Sequence, residues 1–196
     1  RAYAEALQSG GKIVVVGSAT FQGPEHRFAV VRYLSNGSLD DTFGSGGVQT
    51  TLFVSGVTAG GAVAVAVDSA QRLIVVGSFA SSTFVSAVAR YNSDGSLDGT
   101  FDGDGKLIFA GENCIIARSI TSQPDNKIVI SGQRNCSTPT SAVTVYRLDD
   151  SGAFDPSFGS GGMVSSGIGI ASFGVEHVIK PDGRILVAAL IQSDAT

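Results

Sequence analysis

The tightest cluster of carboxylates in this 196-residue chain is Asp98, Asp102 and Asp104, in the run L-D-G-T-F-D-G-D-G. Alternating Asp and Gly brings side-chain and main-chain oxygens close together, which is the chemistry of a Ca²⁺ loop. The spacing is shorter than a full calcium loop. Two related runs carry Gly44 and Gly46, or Gly159 and Gly161, where Asp102 and Asp104 stand. A loop that forms without the acids reads as a solvated turn. The other groups of catalytic type are scattered. His26 lies in the polar run Q-G-P-E-H-R and is expected to be exposed, while His177 lies in a strand and is expected to be a satisfied core histidine. Glu112 and Glu176 have the chemistry of a glycosidase pair, but nothing in the sequence fixes their separation. No G-x-S-x-G nucleophile elbow is present. The expectation is no catalytic residue and no cofactor, with Ca²⁺ at Asp98, Asp102 and Asp104 as the one metal candidate.

Cys114 and Cys136 are the only cysteines, nine residues before Gln123 and nine after Lys127, which flank a Pro-Asp-Asn turn. In a regular hairpin that symmetry sets them opposite each other, within reach of a disulfide. A bridge would contribute roughly 3 kcal/mol by loop closure and would indicate an oxidising compartment. Two free thiols are the alternative. Without a C-x-x-C motif, neither zinc nor thiol redox chemistry is expected.

These residues sit inside a repeat. Residues 91–105 read Y-N-S-D-G-S-L-D-G-T-F-D-G-D-G, residues 33–47 read Y-L-S-N-G-S-L-D-D-T-F-G-S-G-G, and residues 148–162 read L-D-D-S-G-A-F-D-P-S-F-G-S-G-G. Their phenylalanines, Phe43, Phe101 and Phe158, are 58 and 57 residues apart. Each block opens on a polar turn whose glycine reaches positive φ without steric cost. Arg32, Arg90 and Arg147 stand five residues before that glycine, and Asp40, Asp98 and Asp155 three before the phenylalanine. One Arg and one Asp per unit are expected to pair, within or between units, as scaffold rather than as a ligand site.

Short β-branched runs lie between the blocks, opening at Lys12, Arg72, Lys127 and Arg184. Each is too short and too punctuated for a helix and reads as a central strand. A strand and turn precede them (62–67, 115–121 and 175–179 are the strands). A polar loop and a third strand follow (28–33, 87–91, 142–148), then the block and a fourth strand (48–53, 106–109, 163–166). Four antiparallel strands per ~57–60 residues make an all-β chain of β-propeller blades, against a β-solenoid with its shorter repeats. The frame is a single repeat domain over 1–196, with approximate units 1–47, 48–105, 106–162 and 163–196. The first and last are incomplete, giving about three and a half blades. Raw strand edges are the expected result, so further blades of the same polypeptide or self-association are expected partners.

The blocks G-S-L-D-D-T-F-G-S-G-G and G-A-F-D-P-S-F-G-S-G-G, with the strands Q-P-D-N-K-I-V-I-S-G and K-P-D-G-R-I-L-V, resemble the bacterial delta-60 repeat over nearly the whole chain. Leu148 in place of Tyr, and Gly-Asp-Gly at 103–105, depart from the pattern. The resemblance implies a propeller-type repeat from a secreted or surface bacterial protein, and supplies no active-site residues.

A net charge of −4 without a Lys/Arg run removes the electrostatic case for nucleic acid. No apolar run approaches the ~20 residues of a membrane span. The loops after the central strands (19–27, 79–84, 133–140) vary in length, are rich in polar residues, and are expected to gather on one face. The resulting expectation is a non-catalytic extracellular, cell-surface or periplasmic module for binding, adhesion or assembly, with a protein or glycan ligand met by those loops. A propeller hydrolase or lyase with a channel site is one alternative, and a purely structural part of a surface assembly is another.

Overall fold

The computed structural model describes residues 1–20, 25–57, 59–80, 84–109, 115–134, 142–166 and 171–192. The first sheet holds β1 (Ala2–Leu7), β2 (Ile13–Thr20), β3 (His26–Tyr33) and β4 (Val48–Thr51). The second holds β5 (Ala59–Val67), β6 (Leu73–Ala80), β7 (Phe84–Tyr91) and β8 (Lys106–Ile108). The third holds β9 (Ile115–Ser122), β10 (Ile128–Arg134), β11 (Ala142–Leu148) and β12 (Met163–Ser166). A two-stranded sheet of β13 (Ala171–Ile179) and β14 (Ile185–Gln192) follows. Every sheet is an antiparallel meander in sequence order, as expected of propeller blades.

Alternation along the central strands builds the core. Leu73 and Val75 of β6 pack against the first sheet, with Val14, Val16, Phe28 and Val30. Ile74 and Val76 point the other way, into a second core with Ile128 and Ile130 of β10. A strand buried on both faces must be apolar at every position, which is why these runs do not alternate with polar residues. The first strand of each sheet packs on the first strand of the next: β1 on β5, β5 on β9, and β9 on β13.

The sheets divide the chain a few residues downstream of the sequence frame. Val48 pairs with Val31 and so completes the first sheet rather than opening the second. The glycine block is an internal hairpin that returns the chain to its own sheet. The first unit, expected to lack a strand, is therefore a full four-stranded sheet, and the short sheet is the last.

Candidate functional site

The recurring Arg and Asp meet in every block. Arg32 Nε donates to Asp40 Oδ2 at 2.8 Å, Arg90 Nε to Asp98 Oδ2 at 2.7 Å, and Arg147 Nε to Asp155 Oδ2 at 2.8 Å. The other Asp oxygen accepts from a hydroxyl two residues on, that of Thr42, Thr100 or Ser157. Each guanidinium lies over its block's phenylalanine, 4.5 Å from Phe43, 4.9 Å from Phe101 and 4.6 Å from Phe158. The basic residue that opens each central strand adds a second cation to the same carboxylate: Lys12 on Asp40 at 2.8 Å, Arg72 on Asp98 at 3.3 Å, Lys127 on Asp155 at 3.3 Å. The hydrogen bonds from Lys12 and Thr42 hold the Asp40 carboxyl well below the usual carboxylate range.

The clamp also reaches into the following sheet. Arg32 Nη1 donates to the Ser93 carbonyl at 2.6 Å, and Arg90 Nη1 to the Asp150 carbonyl. Beside each, a main-chain N–H does the same: Gly44 to Asp94 O and Asp102 to Ser151 O, both at 2.7 Å. The polar turn of one unit is thus held by the arginine of the unit before it.

A second repeated device shapes the inner strands. Gly17, Gly77 and Gly132 each lie where the ladder to the first strand slips by a residue. A Cβ at these glycines would meet a main-chain oxygen at 1.8, 2.0 and 2.3 Å respectively. The extra residue of each bulge is Tyr3, Val63 or Arg118, and a bulge re-aims its side chain. All three line one cleft of about 850 Å³ on the inner strands. Ser18, Thr20, His26 and Ser78, at the ends of the variable loops, join them there. His26 Nδ1 lies 3.1 Å from the Gly60 carbonyl, to which it donates. Arg1 and Arg118 line the cleft, and no Asp or Glu lines it among the described residues.

A protein-family model described as a domain of unknown function (DUF5122) β-propeller matches residues 8–43, 72–101 and 123–158. Each match runs from just ahead of a central strand to the clamp phenylalanine, and together they cover just over half of the chain. The chain belongs to this family. A search of curated proteins found no match.

In this DUF5122 propeller the other residues singled out from sequence do not converge. Asp98 is consumed by Arg90, Arg72 and Thr100, while Asp104 accepts from the Lys106 main chain at 2.9 Å. Asp102 takes φ +49°, a conformation filled by glycine at 44 and 159, which is why the other blocks dispense with the acid. No group of three metal-binding side chains forms among the described residues. His177 is buried, as expected, but only half satisfied: Nδ1 lies 2.7 Å from Ser131 Oγ, and Nε2 has no partner among the described residues. Burial pushes its pKa down to about 4. Ser131 is fully buried, so this Ser–His contact is core and meets no substrate. Glu176 is exposed on β13, whereas Glu112, Cys114 and Cys136 lie outside the described residues. The symmetric register behind the cysteine expectation holds from Ile128↔Ser122 to Ser131↔Ser119, and the bulge at Arg118 shifts it by one residue beyond. Sequence reading missed the bulge residues. Their signal was the glycine closing each central strand, which reads locally as punctuation.

Proposed function

We propose that this propeller is a non-catalytic binding module of an extracellular or surface bacterial protein, and that its inner-strand cleft takes a carboxylate-bearing glycan. The observation that carries this reading is the convergence of Tyr3, Val63 and Arg118 on one cleft. A constant ladder presents a variable residue from each sheet, so the frame is kept while the contact chemistry changes. Tyr3 offers a face for a sugar ring, Arg118 a planar donor pair for a carboxylate, and Ser18, Thr20 and Ser78 offer hydroxyls. The secreted or surface setting rests on the likeness to the delta-60 repeat.

Calorimetric titration with alginate oligomers tests the reading. Saturable binding that weakens with salt and falls at least tenfold in Arg118→Ala is expected. Absence of binding, or binding indifferent to Arg118→Ala and Tyr3→Ala, overturns it.

A further inference from the structure

The seam between the first and second sheets and the seam between the second and third use equivalent residues that differ in charge. At both, the clamp arginine donates to a turn carbonyl, that of Ser93 at the first seam and of Asp150 at the second. Ser93 therefore stands where the second seam carries Asp150. The turn ahead of the central strand also closes alike, the Gln8 N–H on the Lys12 carbonyl and the Asp68 N–H on the Arg72 carbonyl. Gln8 and Lys12 thus take the places of Asp68 and Arg72.

The second seam is bridged by a cation of its own chain. Arg72 donates through Nε to Asp68 at 2.6 Å and through Nη2 to the Asp150 carboxylate, in the next sheet, at 2.6 Å. At the first seam, Lys12 for Arg72 and Ser93 for Asp150 remove both ends of that bridge. Among the described residues, Lys12 Nζ pairs only with Asp40, of its own sheet. A cavity of about 380 Å³ opens there, and every side chain lining it is polar or charged. Its walls carry opposite charges, Lys12 from the first sheet and Asp94 from the second, which do not pair with each other. Lys12 keeps N–H donors beyond the one on Asp40. Asp94 takes both bonds from Ser96 on Oδ1, which leaves Oδ2 without a partner among the described residues. Arg32, the other cation of the lining, is already spent on Asp40, Thr42 and the Ser93 carbonyl. The walls are held in place. Gly44 donates to the Asp94 carbonyl at 2.7 Å, and Gln71 accepts from Gln8 Nε2 at 2.7 Å and from the Ser9 N–H at 2.8 Å.

We propose that this cavity binds a small zwitterion of the α-amino acid class, its carboxylate on Lys12 and its ammonium on Asp94. One available charge of each sign on facing walls selects a ligand that carries both. The ligand supplies at the first seam what Arg72 supplies at the second, a charged group that spans two sheets. The cavity shares no lining residue with the inner-strand cleft and is a separate site.

The probe is glycine, titrated into the full 196-residue chain and followed by amide shifts in ¹H–¹⁵N spectra. Saturable shifts confined to residues 8–12 and 93–95 are expected, with a Kd of about 1 mM. N-acetylglycine lacks the ammonium and glycinamide lacks the carboxylate, so each should bind at least about tenfold more weakly. Asp94→Asn keeps the caps to Ser96, since Asn36 makes the same two bonds to Ser38 in the first block, and should weaken glycine binding about tenfold. Lys12→Arg keeps a cation on Asp40 but fills the cavity with the second seam's side chain, and should abolish binding. Shifts that fail to saturate by about 50 mM glycine overturn the proposal. So do analogues that bind as tightly as glycine, or variants that bind as tightly as the native chain.

Discussion

Replacing Arg90 with leucine removes the most enclosed cation in the molecule. Its side chain is 1% exposed and bonds to Asp98, to Thr100 and to the Asp150 turn of the next sheet. Leucine fills much of the volume but leaves the Asp98 carboxylate short of its closest donor and the Asp150 carbonyl without one. Breaking one partner of a buried ion pair costs about 3–5 kcal/mol. Arg72 remains 3.3 Å from Asp98 and offsets part of that loss, so the lower half of the range applies, about 3–4 kcal/mol. Arg147→Leu is the internal control: the same clamp, 18% exposed and holding no following turn among the described residues, should cost only about 1–2 kcal/mol. Urea unfolding followed by far-UV circular dichroism measures both, provided the m-values agree. The intersheet reading of the clamp fails if the two variants lie within 1 kcal/mol of each other at equal m.

His177, neutral and buried at a pKa of about 4, stays unprotonated in the folded state where the unfolded chain takes up a proton. Its folded pKa is depressed, so stability is intact above pH ~6.5, falls by up to ~3 kcal/mol as pH drops to 4, and is level below. A pH series of urea midpoints should show that slope in the native chain and lose it in His177→Phe. Stability held by Asp40 should disappear in a separate window, as pH falls below its ordinary value of 3.8. Gly132→Ala drives a methyl to 2.3 Å from the Ile116 oxygen and should cost about 1–3 kcal/mol with a lower thermal midpoint. Tyr91→Phe should cost about 1–2 kcal/mol, since it orphans the buried Thr51 hydroxyl 2.7 Å away.

The strands and the clamp were legible because both are local and repeated. A β-branched run bounded by Lys or Arg and Gly can only be a short buried strand, and an Arg eight residues before an Asp returns to it across a hairpin. The clamp's forward reach was not legible, because Arg90 and Asp150 are joined by a fold and not by a motif. The cleft failed to appear for the same reason. Gly132 announces a turn or bulge, but the oxygen that forbids its Cβ belongs to Ile116, across the ladder. The Ser131–His177 contact spans two sheets whose only sequence link is their period. The boundary of the first sheet was misplaced because a repeat has no intrinsic origin, and only the pairing of Val48 with Val31 fixes where a blade closes.

The bulge glycines separate two duties that most strands must combine. Above and below each one, the inner strand answers to its core; at the bulge itself, Tyr3, Val63 or Arg118 lines the cleft, Val63 while also packing on the second core. Selection can rewrite the exposed Tyr3 and Arg118, an aromatic for a cation or the reverse, without disturbing a packed methyl elsewhere, whereas a change at Val63 is also felt by the core it touches. A lineage of such propellers could therefore change what it grips while remaining indistinguishable in architecture.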